Sequence, residues 1–248
     1  MRGLFVTGTD TGVGKTVLAA SVVAALRAEG TQVRALKPLL TGLDEPADPR
    51  WPHDHELLAI ASGGERDQVA LRSFGPPVSP HLAAELAGAS IDMDALLGEI
   101  AAAGEAPARE STPVVEGVEA PAREPTLVVE GVGGLLVPLG AGWNLRRLAA
   151  SIGLPVLIAA RPGLGTINHT LLTLEAARAG GLRIAGVVLT PWPAHPDRVQ
   201  RSNLETIAAL GEVEVATLPR VAAADPAVLA AAGALLPLER WLSDRNGN

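Results

Sequence analysis

The 248 residues predict an α/β fold, a doubly wound and mostly parallel sheet with helices on both faces. Three observations point there. Apolar runs of strand length alternate with helix-length stretches along the chain. The runs are continuously apolar, as strands buried on both faces must be. A glycine-rich stretch, Gly8 to Thr16, falls between the first run and the first helix, where parallel sheets gather their chemistry.

The elements follow in order. Gly3–Thr7 (GLFVT) reads as a strand, Thr16–Ala28 as a helix stopped near Gly30, and Val33–Lys37 (VRALK) as a second strand. Helices are expected over Asp54–Ser62, Pro80–Ala87 and Asp92–Ala103, the last with Asp92 as its N-cap. Later come a strand at Pro155–Ala160, a helix at Ile167–Ala179, a strand at Ile184–Leu189 and a helix at Pro196–Leu210. A short strand at Val213–Leu218 and a helix at Pro226–Leu235 close the pattern. No linker divides the chain, so residues 1–248 are expected to form a single domain.

Composition narrows the function classes. The chain is 48% hydrophobic, enough to bury a sizeable core. With no cysteine, disulfides and thiolate metal sites are excluded, which fits a cytoplasmic protein. No run is apolar and long enough to suggest a membrane span. A net charge of −7 argues against nucleic-acid binding, and aromatics at 2% leave few platforms for stacking bases.

GTDTGVGKT, residues 8–16, satisfies G-x-x-x-x-G-K-[ST] between a strand and a helix, the context that identifies a phosphate-binding loop. The expected fold is therefore P-loop NTPase-like. Gly8, Gly12 and Gly14 let the backbone turn tightly and aim N–H groups at phosphate oxygens. The helix beginning near Thr16 adds its positive dipole end. Lys15 reaches the outer phosphates, and the Thr16 hydroxyl ligates magnesium. Lys37, at the end of the second strand, is the best additional cation for a phosphoryl-transfer site. Asp54 opens a helix and is read either as an N-terminal acid or as a metal ligand. His53 and His55 flank it, but residues two apart diverge on a helix, so a His-Asp-His metal site is disfavoured.

Residues 105–118 (EAPARESTPVVEGV) and 119–132 (EAPAREPTLVVEGV) agree at 12 of 14 positions. Each copy ends in Val-Val-Glu-Gly-Val and offers one carboxylate, Glu116 or Glu130. The region 104–125 is rich in Ala, Pro and Glu and reads as an exposed loop.

Together these residues resemble the dethiobiotin synthetase family. The matching pieces are GTDTGVGKT (8–16), KPLLTG (37–42), Asp54, SPHLAA (79–84), VVEGVGGLLVPL (128–139), LGTINHTLLTLEAA (164–177), AGVVL (185–189) and LPRV (218–221). They run in family order over most of the chain. The family motif E-G-x-G-G is met only at Glu130, so the resemblance makes Glu130 the working copy and 105–125 a duplicated surface insertion. Val132 stands where the family commonly has Ala.

The resemblance implies an ATP-dependent ligase of biotin biosynthesis that closes 7,8-diaminononanoate with carbon dioxide into dethiobiotin through a carbamate and a carbamic–phosphoric anhydride. It implies Mg2+ held by Thr16, Asp54 and Glu130, and chemistry carried by Lys15, Lys37 and Thr11. Nucleotide contacts are implied at Gly12, Val13, Gly14, Lys15, Thr16 and Val17 of the loop, and at Asp54, Glu130, Gly131, Val132 and Gly133. The base is expected against Thr190, Pro191, Pro219, Arg220 and Val221. The diamine side is expected at Thr11, Lys37, Thr41 and Gly133, with Asn168 near the remote carboxylate. In the family that carboxylate lies near a subunit boundary, so a homodimer follows by resemblance.

One departure concerns the base. Family members that favour adenine often carry Asn after the AGVVL-type strand. Here Thr190 stands there, and one hydroxyl cannot make the paired amide contact. An alternative reading is a partitioning or division-site ATPase switch on a related fold. Such switches carry a signature lysine where this chain has Asp10, and they engage DNA or membrane through basic or amphipathic segments that this acidic chain lacks.

Overall fold

The computed structural model describes residues 1–48, 50–105, 125–140 and 142–243. The chain runs β1 (Gly3–Gly8), α1 (Lys15–Ala28), β2 (Val33–Leu40), α2 (Asp54–Ser62), α3 (Arg66–Val69), β3 (Ala70–Ser73), α4 (Pro80–Leu86) and α5 (Met93–Glu105). It continues through β4 (Thr126–Gly134), β5 (Pro138–Gly140), β6 (Trp143–Asn144), α6 (Leu145–Ile152), β7 (Val156–Ala160) and α7 (Thr166–Ala179). The remaining elements are β8 (Ile184–Trp192), α8 (Arg198–Gly211), β9 (Val215–Pro219), α9 (Pro226–Gly233) and α10 (Leu238–Leu242).

Seven strands form one sheet in the order β3-β2-β4-β1-β7-β8-β9, and every pairing is parallel. The chain builds outward on one side of β1, returns to it through β4, then builds outward on the other side through β7. Side-chain alternation along the central strands feeds two cores. Leu4, Val6 and Val128 join Leu18, Val22, Leu58 and Leu229 on one face. Phe5, Leu127 and Val129 join Ile100, Leu145, Leu148 and Leu174 on the other. Because both faces are covered, these strands read as unbroken apolar runs.

The expected elements are present with ends moved by a few residues. β2 and β8 continue past Lys37 and Leu189, because pairing with β3 and β9 holds them further along. Asp92 does cap α5: its carboxylate accepts the N–H of Ala95 at 2.9 Å. Four short pieces went unread, namely α3, β3, the β5–β6 pair and α10. So did α6, although its signals are plain: the Asn144 side chain accepts from the Arg147 N–H, and Gly153 ends the helix in the left-handed conformation. Most of the duplicated segment, including Glu116, lies outside the described residues. Among the described residues no helix is long and apolar enough to cross a membrane.

Candidate active site

Sheet register assembles the charged centre. In the β2–β4 pairing Leu36 lies opposite Val129, so the next residues, Lys37 and Glu130, stand side by side. On the other flank Glu130 faces Val6 of β1, two residues before the phosphate loop begins at Gly8. Gly14, at φ 94°, turns the loop into α1 in a conformation that glycine adopts without strain. Residues far apart in sequence therefore meet at the carboxyl ends of the central strands.

The contacts are short. Lys37 Nζ lies 2.6 Å from Glu130 Oε1, 2.7 Å from Asp54 Oδ2 and 3.3 Å from the Gly131 carbonyl. That uses all three ammonium donors. Thr16 Oγ1 is 2.8 Å from both Asp54 Oδ1 and Glu130 Oε1, and its single hydrogen serves one of them at a time. Asp54 thus opens α2 without serving as its cap; His53 holds the N-cap position, and the Glu56 carboxylate closes a capping box by accepting the His53 N–H at 3.2 Å. On the loop, Lys15 Nζ donates to the Asp10 carbonyl at 2.7 Å, and the Asp10 carboxylate accepts the Thr11 N–H at 2.7 Å.

Burial and charge compete at each titratable group. Burial pushes Glu130 above its ordinary range, and the Lys37 charge only partly offsets this. Desolvation pulls Lys37 down, but Asp54 and Glu130 together outweigh it and hold the ammonium charged well above its usual range. Desolvation also acts on Asp54, whose side chain is 42% exposed, yet Lys37 and Thr16 keep its carboxyl below the usual value. Lys15 is lowered to about 8, chiefly by burial and also by the neighbouring Lys37, against the attraction of Glu130.

The donor set suits a hard divalent cation. Thr16, Asp54 and Glu130 present oxygens only, and Glu130 Oε2 is buried with no hydrogen-bond partner. Among the described residues no cluster of three or more acids, histidines or cysteines exists, so a cation held here would need further oxygens from phosphate or water. The His53 and His55 rings stand 6.2 Å apart between centroids and form no metal cluster with Asp54.

A cleft of about 900 Å³ opens over this centre. It is lined by Thr11, Gly12, Gly14, Lys15, Thr16, Val17, Lys37, Thr41, Asp54, Glu130, Val132 and Gly133, all of them residues the sequence singled out. Trp51 and Ser79 line it as well and were not foreseen; Ser79 lay in plain view within SPHLAA. Val13 is buried beneath the loop.

Other sites stand apart. At Gly131, implied as a nucleotide contact, a Cβ would meet Leu145 Cδ2 at 2.7 Å, so core packing also demands glycine there. Thr190 is buried with its Cγ2 3.0 Å from where a Gly14 Cβ would stand, while the following Pro191 is exposed. Pro219 and Arg220 line a second cleft of about 890 Å³ with Trp192, and Val221 is buried in the core. Asn168 is exposed in the first turn of α7, which Gly165 caps, and it does not reach the main cleft. A further cation, Arg161, donates from Nη2 to the Thr11 carbonyl at 3.1 Å. Its only sequence signal was its place just past the apolar run of β7.

A family model described as an AAA domain matches residues 2–227. The ATP-dependent dethiobiotin synthetase BioD of Anaeromyxobacter dehalogenans (strain 2CP-1 / ATCC BAA-258) is 43% identical over 212 residues, covering 85% of this chain and 86% of that protein. Among solved structures, the MinC:MinD cell division protein complex of Aquifex aeolicus aligns with a TM-score of 0.52 at 16% identity, over 97% of this chain and 94% of that one. Cobyrinic acid a,c-diamide synthase of Mycobacterium smegmatis, with a bound ATP analog and magnesium, aligns with a TM-score of 0.51 at 19% identity, over 99% and 97%. At such identities the two structures share the P-loop fold and carry no statement about activity.

Proposed function

The chain belongs to the ATP-dependent dethiobiotin synthetase family, and from that premise we propose that its cleft closes a vicinal diamine, 7,8-diaminononanoate, with carbon dioxide and ATP into a cyclic urea. One amine adds to carbon dioxide to form a carbamate. A carbamate oxygen attacks the γ-phosphorus, and the bond to ADP breaks. The second amine attacks the carbonyl of the resulting carbamic–phosphoric anhydride, and phosphate leaves. The order is sound chemistry, because a carbamate acylates poorly until its oxygen departs as phosphate. The tethered second amine then reacts at high effective molarity.

The observation that carries this reading is the meeting of Lys37, Asp54 and Glu130, from three elements, around Thr16 of the phosphate loop. In the proposed site Lys15 and Lys37 offset charge developing on the γ-phosphate and the carbamate. Thr11 and Thr41 hydrogen-bond the carbamate or diamine, and Gly133 lets backbone come close. Thr16, Asp54 and Glu130 hold magnesium, which when bound supplies positive charge to the phosphate oxygens. The base lies toward Thr190, Pro191, Pro219, Arg220 and Val221, of which Pro219 and Arg220 line the second cleft.

The same proposal takes residues 1–248 as a single domain acting in the cytoplasm; most of the duplicated stretch 105–125 lies outside the described residues. It includes a homodimer in which Asn168, near the substrate's remote carboxylate, faces a second copy. Leu164, 98% exposed, and Leu172, 56% exposed, give that face apolar surface to bury.

The test is phosphate release with diaminononanoate, bicarbonate and ATP. Turnover requiring all three is expected. Hydrolysis independent of diamine, and stimulated by DNA or lipid vesicles, would instead favour a partitioning-type switch.

A further inference from the structure

We propose that Arg161 is a positioning residue for the phosphate loop: it fixes the Thr11–Gly12 peptide from outside the nucleotide site, on a mount supplied by Asn203. The inference concerns nucleotide binding, on which the synthetase reading depends, but it stands apart from the identity of the second substrate.

Successive carbonyls of the loop are each held by a cation from a different element. Lys15, on α1, holds the Asp10 carbonyl at 2.7 Å, and Arg161, beyond β7, holds that of Thr11 at 3.1 Å. The two cations differ in what they do next. The lysine of this motif meets the outer phosphates, so Lys15 must release Asp10 when nucleotide enters. Arg161 approaches from the neighbouring strand, where Gly8 pairs with Ala159 and the Thr9 N–H donates to the Ala159 carbonyl at 3.0 Å. It can keep its hold while the loop is occupied.

Two features argue that this placement is built. The segment after Arg161 is anchored from α8: Asn203 is buried, and its Nδ2 donates to the carbonyls of Pro162 at 2.9 Å and Gly163 at 3.1 Å. Burying an amide is costly unless it is bonded, so Asn203 has a defined task, and that task is to hold the base of Arg161. Gly12, at φ 68°, turns the loop directly beside it: a Cβ there would be in van der Waals contact with Arg161 Nη2 at 3.4 Å. Among the described residues Arg161 makes no ion pair with a carboxylate, so its recorded partner is the loop. Holding the loop in its binding shape before nucleotide arrives removes an ordering cost from binding.

Arg161→Met removes the donor at similar length, and Arg161→Lys retains one. Two measurements on the full chain need no turnover: hydrogen–deuterium exchange of peptides covering residues 9–14 without nucleotide, and ATP affinity followed by isothermal titration calorimetry. The expected result is faster exchange in Arg161→Met and ATP binding weaker by about tenfold, with substantial recovery of both in Arg161→Lys. Asn203→Ala, which removes no charge, is expected to speed exchange in the same peptides. The affinity ratio of wild type to Arg161→Met should hold from 50 to 500 mM salt, on the order of the range over which exposed charges become screened. A ratio that collapses toward one at high salt makes Arg161 a surface charge that attracts phosphate, and overturns the proposal. So does unchanged exchange or unchanged ATP affinity in Arg161→Met. A protein that binds ATP normally but makes no product would sink the synthetase reading and leave this one standing.

Discussion

Replacing Lys37 by Gln tests the charged centre most directly. The ammonium sits between Glu130 and Asp54 at 2.6 and 2.7 Å, and Glu130 is 1% exposed. Removing one member of a buried ion pair costs about 3–5 kcal/mol, because the partner charge is left uncompensated. Glu130 has a way out. Burial already raises its pKa, and without Lys37 it takes up a proton and becomes neutral. A carboxyl raised in the folded state stabilises that state below its unfolded pKa, and the contribution is lost as pH rises through the folded value. The penalty in Lys37→Gln should therefore grow with pH, from under about 1 kcal/mol near pH 5 to about 3 kcal/mol at pH 8. At about 2–4 °C per kcal/mol for a chain of this size, the Tm gap to wild type should reach about 6–12 °C at pH 8 and nearly close at pH 5. Thermal melts of both proteins across that range, with phosphate release measured alongside, read the effect. Activity should be largely lost at every pH while the fold persists below the melt. Adding Glu130→Gln should recover part of the stability through coupling of about 0.5–3 kcal/mol. An equal Tm gap at pH 5 and 8, no recovery in the double variant, or full turnover by Lys37→Gln would refute the reasoning.

Three further outcomes are expected. Glu130→Gln should cut diamine-dependent phosphate release by about 10- to 100-fold or more, as loss of a metal-site partner does, while Glu116→Gln in the duplicated copy should be nearly silent; the reverse result would reassign the working copy. Lys15, lowered to about 8 in the nucleotide-free chain, should be about nine-tenths neutral at pH 9, so nucleotide binding there should take up about 0.9 proton and weaken about tenfold relative to pH 6.5; calorimetry in buffers of different ionisation enthalpy reads the uptake, and none at pH 9 would contradict it. With Thr190 where an amide would read the base edge, rates with ATP, CTP and GTP at subsaturating concentration should differ by less than about tenfold, a gap that corresponds to about 1.4 kcal/mol; a preference for ATP above about a hundredfold, about 2.7 kcal/mol, would count against it.

What the sequence determined by itself was local. GTDTGVGKT specifies its own backbone path, because glycine at Gly12 and Gly14 can adopt the positive φ values the loop uses, and the Lys15 and Thr16 that follow are carried into place by the same turn. Continuous apolar runs disclosed a sheet covered on both faces. They could not disclose the strand order, and it is the order β2-β4-β1 that sets Lys37, Glu130 and the loop in adjacent columns. Sequence also presented two identical Val-Val-Glu-Gly-Val copies, and nothing within either copy distinguishes them. The context after the second copy did, because only Glu130 is followed by Gly133 and Gly134, which complete E-G-x-G-G. Arg161 reaches Thr11 across 150 positions, and Asn203 reaches Gly163, just beyond Arg161, across 40. Only the folded chain could show either contact, because a pairing between distant residues depends on which strands become neighbours, and hydrophobic periodicity records which faces are buried but not against what.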